Sequence, residues 1–384
     1  MSRAAAFIYS PEYLSYHFHD HHPFNPQRLK NTFDLLIEAG VLDNEDVCEP
    51  CQAEDQELGL VHTGDYLDAV RRAGSGKSGV DDLARFELGT EDVPVFEGMH
   101  SASSLVVGGT LTAAELVLEG KVKHAINIAG GLHHARRQKA SGFCVYNDAA
   151  VAIAWIKQKF GVRILYIDID AHHGDGVQDI FYEDPDVMVI SIHESGNYLF
   201  PGTGSIHEQG KGDGVGTTIN IPLEPFTEDD SWISAFNSVV IPQARMFAPD
   251  IIISQNGCDG HYLDPLTHLA LTMKSYQAAF SAIHQLAEQL CDGRLVALGG
   301  GGYSIWQVVP RAWALLWSIL SGRDLGKKLP ASWLKKYGGI SGESIPCSYS
   351  DPEGMVPPIP RREEIKEKNL LTIERIIRQS WAMF

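Results

Sequence analysis

The sequence predicts an α/β fold built on a central, mostly parallel sheet, and three observations predict it. From about residue 105 onward, short apolar runs alternate with helical patterns. The runs are near-continuous in apolar character, as strands covered on both faces are. No Pro/Gly/Ser linker interrupts the alternation, so residues 1–384 are expected to form one domain rather than two.

Taken in order, residues 103–120 (SSLVVGGTLTAAELVLEG) read as a helix, and residues 123–131 (KHAINIAGG) as a short apolar strand running into glycines. An Ala-rich helix follows over 148–160, then strands at 163–168 and 187–193. A long helical stretch at 229–247 leads to a strand at 251–255. A helix near 275–290, a strand at 294–298 and a helix after Tyr303 complete the alternation. Residues 357–381 begin with prolines and continue as a charged amphipathic helix. Such a helix ordinarily lays its apolar stripe on its own domain, so residues 343–384 are expected to be a C-terminal extension packed on the body.

Composition excludes several classes. Hydrophobic residues at 44% and charged residues at 21% are ordinary globular values, unlike those of a disordered or fibrous chain. Lys plus Arg number 31 against 49 for Asp plus Glu, a formal net charge of -18. That charge repels phosphate backbones and anionic membrane surfaces, so neither nucleic acid nor membrane is an expected partner. The amino terminus lacks the apolar core of a signal peptide, and no stretch is read as reaching the roughly 18 apolar residues of a spanning helix. A soluble, cytoplasmic protein is expected. The six cysteines are dispersed and fit reduced thiols, and the Cys48/Cys51 pair has no second pair to complete a zinc site.

Ligands of parallel α/β sheets bind beyond the carboxyl ends of the strands, and polar residues gather there. One strand is followed by His133 and His134, a second by Asp168, Asp170, His172 and Asp175, a third by Asp259 and a fourth by Tyr303. Asp168, Asp170 and His172 lie two apart, a spacing that in a strand aims side chains one way. Carboxylates at the end of a buried strand are costly without a cation. Asp and His suit Zn²⁺ or Fe²⁺, and Asp170, His172 and Asp259 would supply three ligands with a position left for water. His133 and His134 could serve as base and acid for hydrolysis, with Asp168 and Asp175 to orient them. Residues 299–302 lack the pattern of a phosphate loop. Their glycines could instead bring the Tyr303 hydroxyl to a developing oxyanion.

Together GGLHHA, DIDAHHGDGVQ, QNGCD and GGGGY resemble the zinc-dependent histone deacetylase family, in order and in spacing. The resemblance runs from residues 22–28 (HPFNPQR) to at least residues 311–313 (RAW), and GTEDVPVFEGMH, HYLDPLTHL and PIPRREEI resemble bacterial members. It implies the arginase/deacetylase fold, a single α/β domain with about eight strands. It also implies Asp170, His172 and Asp259 as metal ligands, His133 and His134 paired with Asp168 and Asp175, and Tyr303 polarising the substrate carbonyl. His134 is expected to be the general base and to protonate the leaving lysine, and His133 to tune the electrostatics.

Gly142, Phe143 and Phe200 are expected to wall a tunnel for a lysine stem, with Leu266 at its mouth and Asp92 on the rim. The resemblance further implies a structural K⁺ or Na⁺ near Asp168, Asp170, His172, Ser191 and Ile192, and another near Phe181, Asp184 and Val187. The implied substrate is acetyl-lysine in proteins or peptides, with acetyl-coenzyme A synthetase as the expected target. Three rivals are weighed. Arginase-like enzymes bind two Mn²⁺, but Gly174 and Gly257 stand where further aspartates would be needed. Polyamine-selective relatives carry Glu where this chain has Leu266, although Glu194, Glu91 or Asp92 could supply negative charge. A non-catalytic binding module is disfavoured because every member of the constellation is present.

Overall fold

The computed structural model describes residues 3–381, and its eight strands form one fully parallel sheet. In chain order they are β1 (Arg3–Ile8), β2 (Val47–Cys48), β3 (Val122–Asn127), β4 (Ile164–Asp168), β5 (Val187–Glu194), β6 (Thr218–Leu223), β7 (Ile251–Gln255) and β8 (Leu295–Leu298). Across the sheet the order is β2-β1-β3-β8-β7-β4-β5-β6. The central strands β4, β7 and β8 are buried at every residue, which explains their unbroken apolar runs.

This order puts β3, β8, β7 and β4 side by side. They also end on a common line: Asn127 pairs with Leu298, Leu298 with Gln255, and Gln255 with Asp168. The four motif-bearing loops therefore leave the sheet together, at its centre.

Three strands, all toward the flanks of the sheet, stand beyond those expected from the sequence. β2 has only two residues and β6 contains Pro222, which lacks a ladder donor and is tolerated because β6 is an edge strand. β1 (RAAAFI) carries three alanines, a weak strand signal. The stretch at 229–247 is helical throughout, but a π turn at Phe236–Val240 separates its two α segments.

One expectation is corrected. The helix Met99–Leu118 has 20 residues with a mean hydropathy of 1.4, long and apolar enough to cross a membrane. Its window is 72% buried inside the protein, against β3 and the helix Asp148–Phe160, as a core helix is. At the far edge of the sheet, the helix Arg362–Trp381 lies against β6, buries Ile373 and Ile376, and sets Asn369 in hydrogen bonds to Glu224, Thr227 and Ser231.

Candidate active site

β4 ends at Asp168, so its two-residue alternation does not reach Asp170 or His172, and the loop beyond sorts the three residues into two groups. Asp168 turns to the histidine loop. Its Oδ2 accepts from His133 Nδ1 at 2.7 Å and from the Tyr166 hydroxyl at 2.9 Å. Asp170 and His172 turn to Asp259, with His172 Nδ1 3.2 Å from Asp170 Oδ1 and 2.8 Å from Asp259 Oδ2.

The histidine loop after β3 is held by residues that precede and start the next helix. The buried Asp148 carboxylate accepts the backbone N–H groups of Gly131 and Leu132, and Asn147 Nδ2 donates to the carbonyls of His133 and Ala135. Thus fixed, His133 Nε2 lies 3.0 Å from His134 Nε2, and His134 Nδ1 lies 2.7 Å from Asp175 Oδ1. Arg136 donates to the second Asp175 oxygen at 2.5 Å.

The two imidazoles differ in charge. Burial opposes a charge on His133, yet Asp168 and Asp170 lift its pKa to about 9. Burial, then the neighbouring His133, pushes His134 down to about 4 despite Asp175. At neutral pH His134 therefore keeps a lone pair while His133 holds a proton, with a carboxylate anchoring each ring.

Asp170, His172 and Asp259 are all buried, and their ligand atoms lie within 4.8 Å of one another. Among the described residues no Lys or Arg pairs with either carboxylate; Asp170 Oδ2 instead accepts from Gln255 Nε2 at 2.7 Å and Gly301 N at 2.6 Å. Two buried carboxylates and one imidazole, with no Lys or Arg paired to either carboxylate, fit a single divalent ion. The further aspartates of a two-ion site have no place here. A Cβ on Gly174 would stand 2.3 Å from Asp168 Oδ2, and one on Gly257 2.1 Å from Asp170 Oδ2, so neither position admits an aspartate.

Tyr303 enters from the loop after β8. Its backbone N–H is taken by Asp264 Oδ2 at 2.7 Å, and the same carboxylate accepts from Leu266 N at 3.1 Å. Arg28, fully buried, donates to the carbonyls of Gly300 and Gly302 at 2.8 and 3.0 Å. The Tyr303 ring meets Phe143 edge-on at 5.8 Å, and Phe200 meets His134 at 5.0 Å. Phe200 is 43% exposed, unlike a core aromatic. Gly142 lies between them at φ +50, and a Cβ there would come within 2.5 Å of His134 and 2.9 Å of Phe200.

The peripheral residues are less tightly gathered. Asp92 is exposed on a loop near His22, which packs edge-on against Phe143 at 4.8 Å. Ser191 sits beside Asp168 in the β4–β5 register, next to Ile192. The Asp184 carboxylate is occupied by the Lys157 ammonium, and the Phe181 carbonyl accepts from Asp184 N at 3.0 Å. Arg28, Asp148, Gln255 and Asp264 escape the sequence reading as site supports. Each acts on a loop that is close only in the fold, and Arg28 is 272 residues from Gly300.

Residues 22–320 match the histone deacetylase domain family. The chain is 53% identical over 375 residues to the acetoin utilization protein AcuC of Bacillus subtilis (strain 168), spanning 98% of this chain and 97% of that protein. It is 41% identical to AcuC of Staphylococcus xylosus over 382 residues, 99% of each chain. Among solved structures, a histone deacetylase homologue complexed with SAHA superposes with a TM-score of 0.85 at 32% identity, covering 97% of this chain and 99% of that one. A homologue from Aquifex aeolicus gives 0.83 at 31% identity, with the same coverage.

Proposed function

The chain belongs to the histone deacetylase family and is a hydrolytic deacetylase, and from that premise we propose that it removes acetyl groups from lysine side chains of proteins. The observation that supports this reading is the gathering of one candidate metal-ligand set, one neutral imidazole and one tyrosine, with Phe143 against Tyr303 and Phe200 against His134.

Asp170, His172 and Asp259 would hold Zn²⁺, with Fe²⁺ the other ion such donors suit. When bound, the ion supplies Lewis-acid polarisation of the acetyl carbonyl and acidifies water. His134 takes the proton of the attacking water and returns it to the departing lysine amine, oriented by Asp175, which Arg136 holds in turn. His133 stays protonated against Asp168 and adds positive charge beside the developing oxyanion. The Tyr303 hydroxyl donates to that oxyanion, steadied by Asp264 and Arg28. Phe143 and Phe200 grip the aliphatic stem beyond Gly142, Leu266 lies at the mouth, and Asp92 on the rim accepts from the peptide backbone. A K⁺ or Na⁺ held largely by backbone carbonyls around Asp168, Asp170, His172, Ser191 and Ile192 would stiffen the loop after β4.

The acetylpolyamine alternative loses one of its supports. Glu194 is 1% exposed, and both its oxygens are engaged by His268, by N at 2.8 Å and Nδ1 at 2.9 Å, so it does not present charge to a cationic substrate. The name of the AcuC relatives points to acetoin catabolism, with a cytoplasmic enzyme acting on metabolic proteins such as acetyl-coenzyme A synthetase. Residues 343–384 are read as an extension bracing the same domain. Turnover of an acetyl-lysine peptide compared with acetylspermidine and acetylputrescine tests the substrate class: the peptide is expected to be the better substrate, and a strong polyamine preference refutes the proposal.

A further inference from the structure

At the opposite end of the sheet from the strand-end loops, a second group of metal-ligating side chains comes together. His124 is near the start of β3, paired with Ala5 of β1 and with Leu295, the first residue of β8. It stands three positions before Asn127 at the catalytic end, about 10 Å along a strand. His284 and Glu288 face it from one side of the helix Met273–Leu290, four residues apart and so on the same face.

The two distances from His124 are close to those between donors on one ion, and all three donor atoms lie within 4.8 Å of one another. His124 Nε2 lies 3.1 Å from His284 Nε2 and 3.4 Å from Glu288 Oε1. For a tetrahedral ion with ligand bonds of about 2.0–2.1 Å, neighbouring donor atoms sit about 3.3–3.4 Å apart. Lys123 Nζ holds the Glu288 carboxylate in place, 2.9 Å from Oε2 and 3.3 Å from Oε1. His124 is buried while His284 is half-buried and Glu288 exposed, so the cluster opens to solvent on one side for entry and for a water ligand.

We propose that His124, His284 and Glu288 form a second site for a borderline first-row divalent cation, of the Zn²⁺ or Co²⁺ kind, that clasps the helix Met273–Leu290 to β3. Two nitrogens and one oxygen select such ions over Ca²⁺ or Mg²⁺, which require oxygen donors. The site lies away from the reacting atoms, so its effect is on stability: an ion bound only in the folded state stabilises it in proportion to the logarithm of ion concentration over Kd. In the absence of an ion the same atoms would make an N–H···N bond and a Lys123–Glu288 ion pair, and stoichiometry separates the two descriptions.

Full-length protein is stripped with a chelator and dialysed against Co²⁺, and bound metal is counted for the wild type, His284→Ala and Glu288→Gln. The expected result is two ions per chain in the wild type and one in each variant, with deacetylase turnover within about twofold of wild type. One ion in the wild type, or two in both variants, overturns the proposal. If His284→Ala is insoluble, Glu288→Gln at its exposed position decides alone.

Discussion

The Nε2 atoms of His133 and His134 face each other 3.0 Å apart, yet the two rings hold different charges at neutral pH, with pKa values about 9 and about 4. Part of the depression of His134 comes from the cation next to it. Removing that cation in His133→Ala relieves a like-charge repulsion and raises the His134 pKa, by roughly one unit for charges this close. The acid limb of the kcat/KM profile, which reports the free enzyme's base, is expected to move to higher pH in the variant. A limb that stays put or moves down would reject His134 as the base.

Tyr303→Phe keeps the ring against Phe143 and removes only the hydroxyl. Metal content is expected to be unchanged and kcat to fall about 10²–10³-fold, as when one oxyanion donor is lost. Asp264→Ala releases the backbone of Tyr303 and Leu266 without touching the hydroxyl, so kcat should fall toward that figure but not beyond it. Steady-state kinetics with metal analysis separate the cases, and near-normal turnover of Tyr303→Phe contradicts its role.

Gly301 lies against Asp259 and Asp170, two of the proposed metal ligands. A Cβ there would stand 2.2 Å from Asp259 Oδ2 and 2.7 Å from Asp170 Oδ2, so Gly301→Ala must displace a carboxylate. The variant is expected to fold, with far-ultraviolet circular dichroism like wild type, and to lose the catalytic ion and activity. Full metal content and turnover would show that the carboxylates are not held as described.

Asp351 ties the C-terminal segment to the loop that carries Asp259. It accepts from His261 Nε2 at 2.9 Å, from Arg311 Nη1 at 2.7 Å and from Met273 N at 2.8 Å. Against the effect of burial, His261 and Arg311 hold its pKa well below the usual carboxylate range. A depressed folded pKa contributes stability that is complete above the unfolded value of about 4 and is lost as pH falls through the folded one. Asp351→Ala should therefore lower stability by about 3–5 kcal/mol at pH 7, the cost of leaving a buried partner unpaired. The Tm gap to wild type should narrow as pH falls below about 4, and a gap independent of pH would dismiss the ion pair as its source.

The candidate site was legible in the sequence because each part follows its own strand as a short local run: His133 and His134 after β3, Asp168 to Asp175 at and after the end of β4, Asp259 after β7, Tyr303 after β8. The fold class was legible for the same reason, since buried central strands write unbroken apolar runs. Edge strands write weaker ones, and Pro222 in β6 hides the pattern further. The supports were not legible. Gln255 reads as the end of a strand, Asp148 as the start of a helix, and Asp264 as a turn residue before Pro265, until the fold sets each beside a loop that it holds. Nor does spacing reveal that Asp168 leaves the group of Asp170 and His172, because the strand stops there.

The most direct test is acetate release from an acetyl-lysine peptide by the full chain, measured as isolated, after chelation, after reloading with Zn²⁺ or Fe²⁺, and in Asp259→Ala. Release should vanish on chelation, return with either ion, and stay absent in the variant whatever ion is supplied. Release that persists in stripped protein, or that Asp259→Ala recovers on reloading, would contradict a deacetylase centred on Asp170, His172 and Asp259.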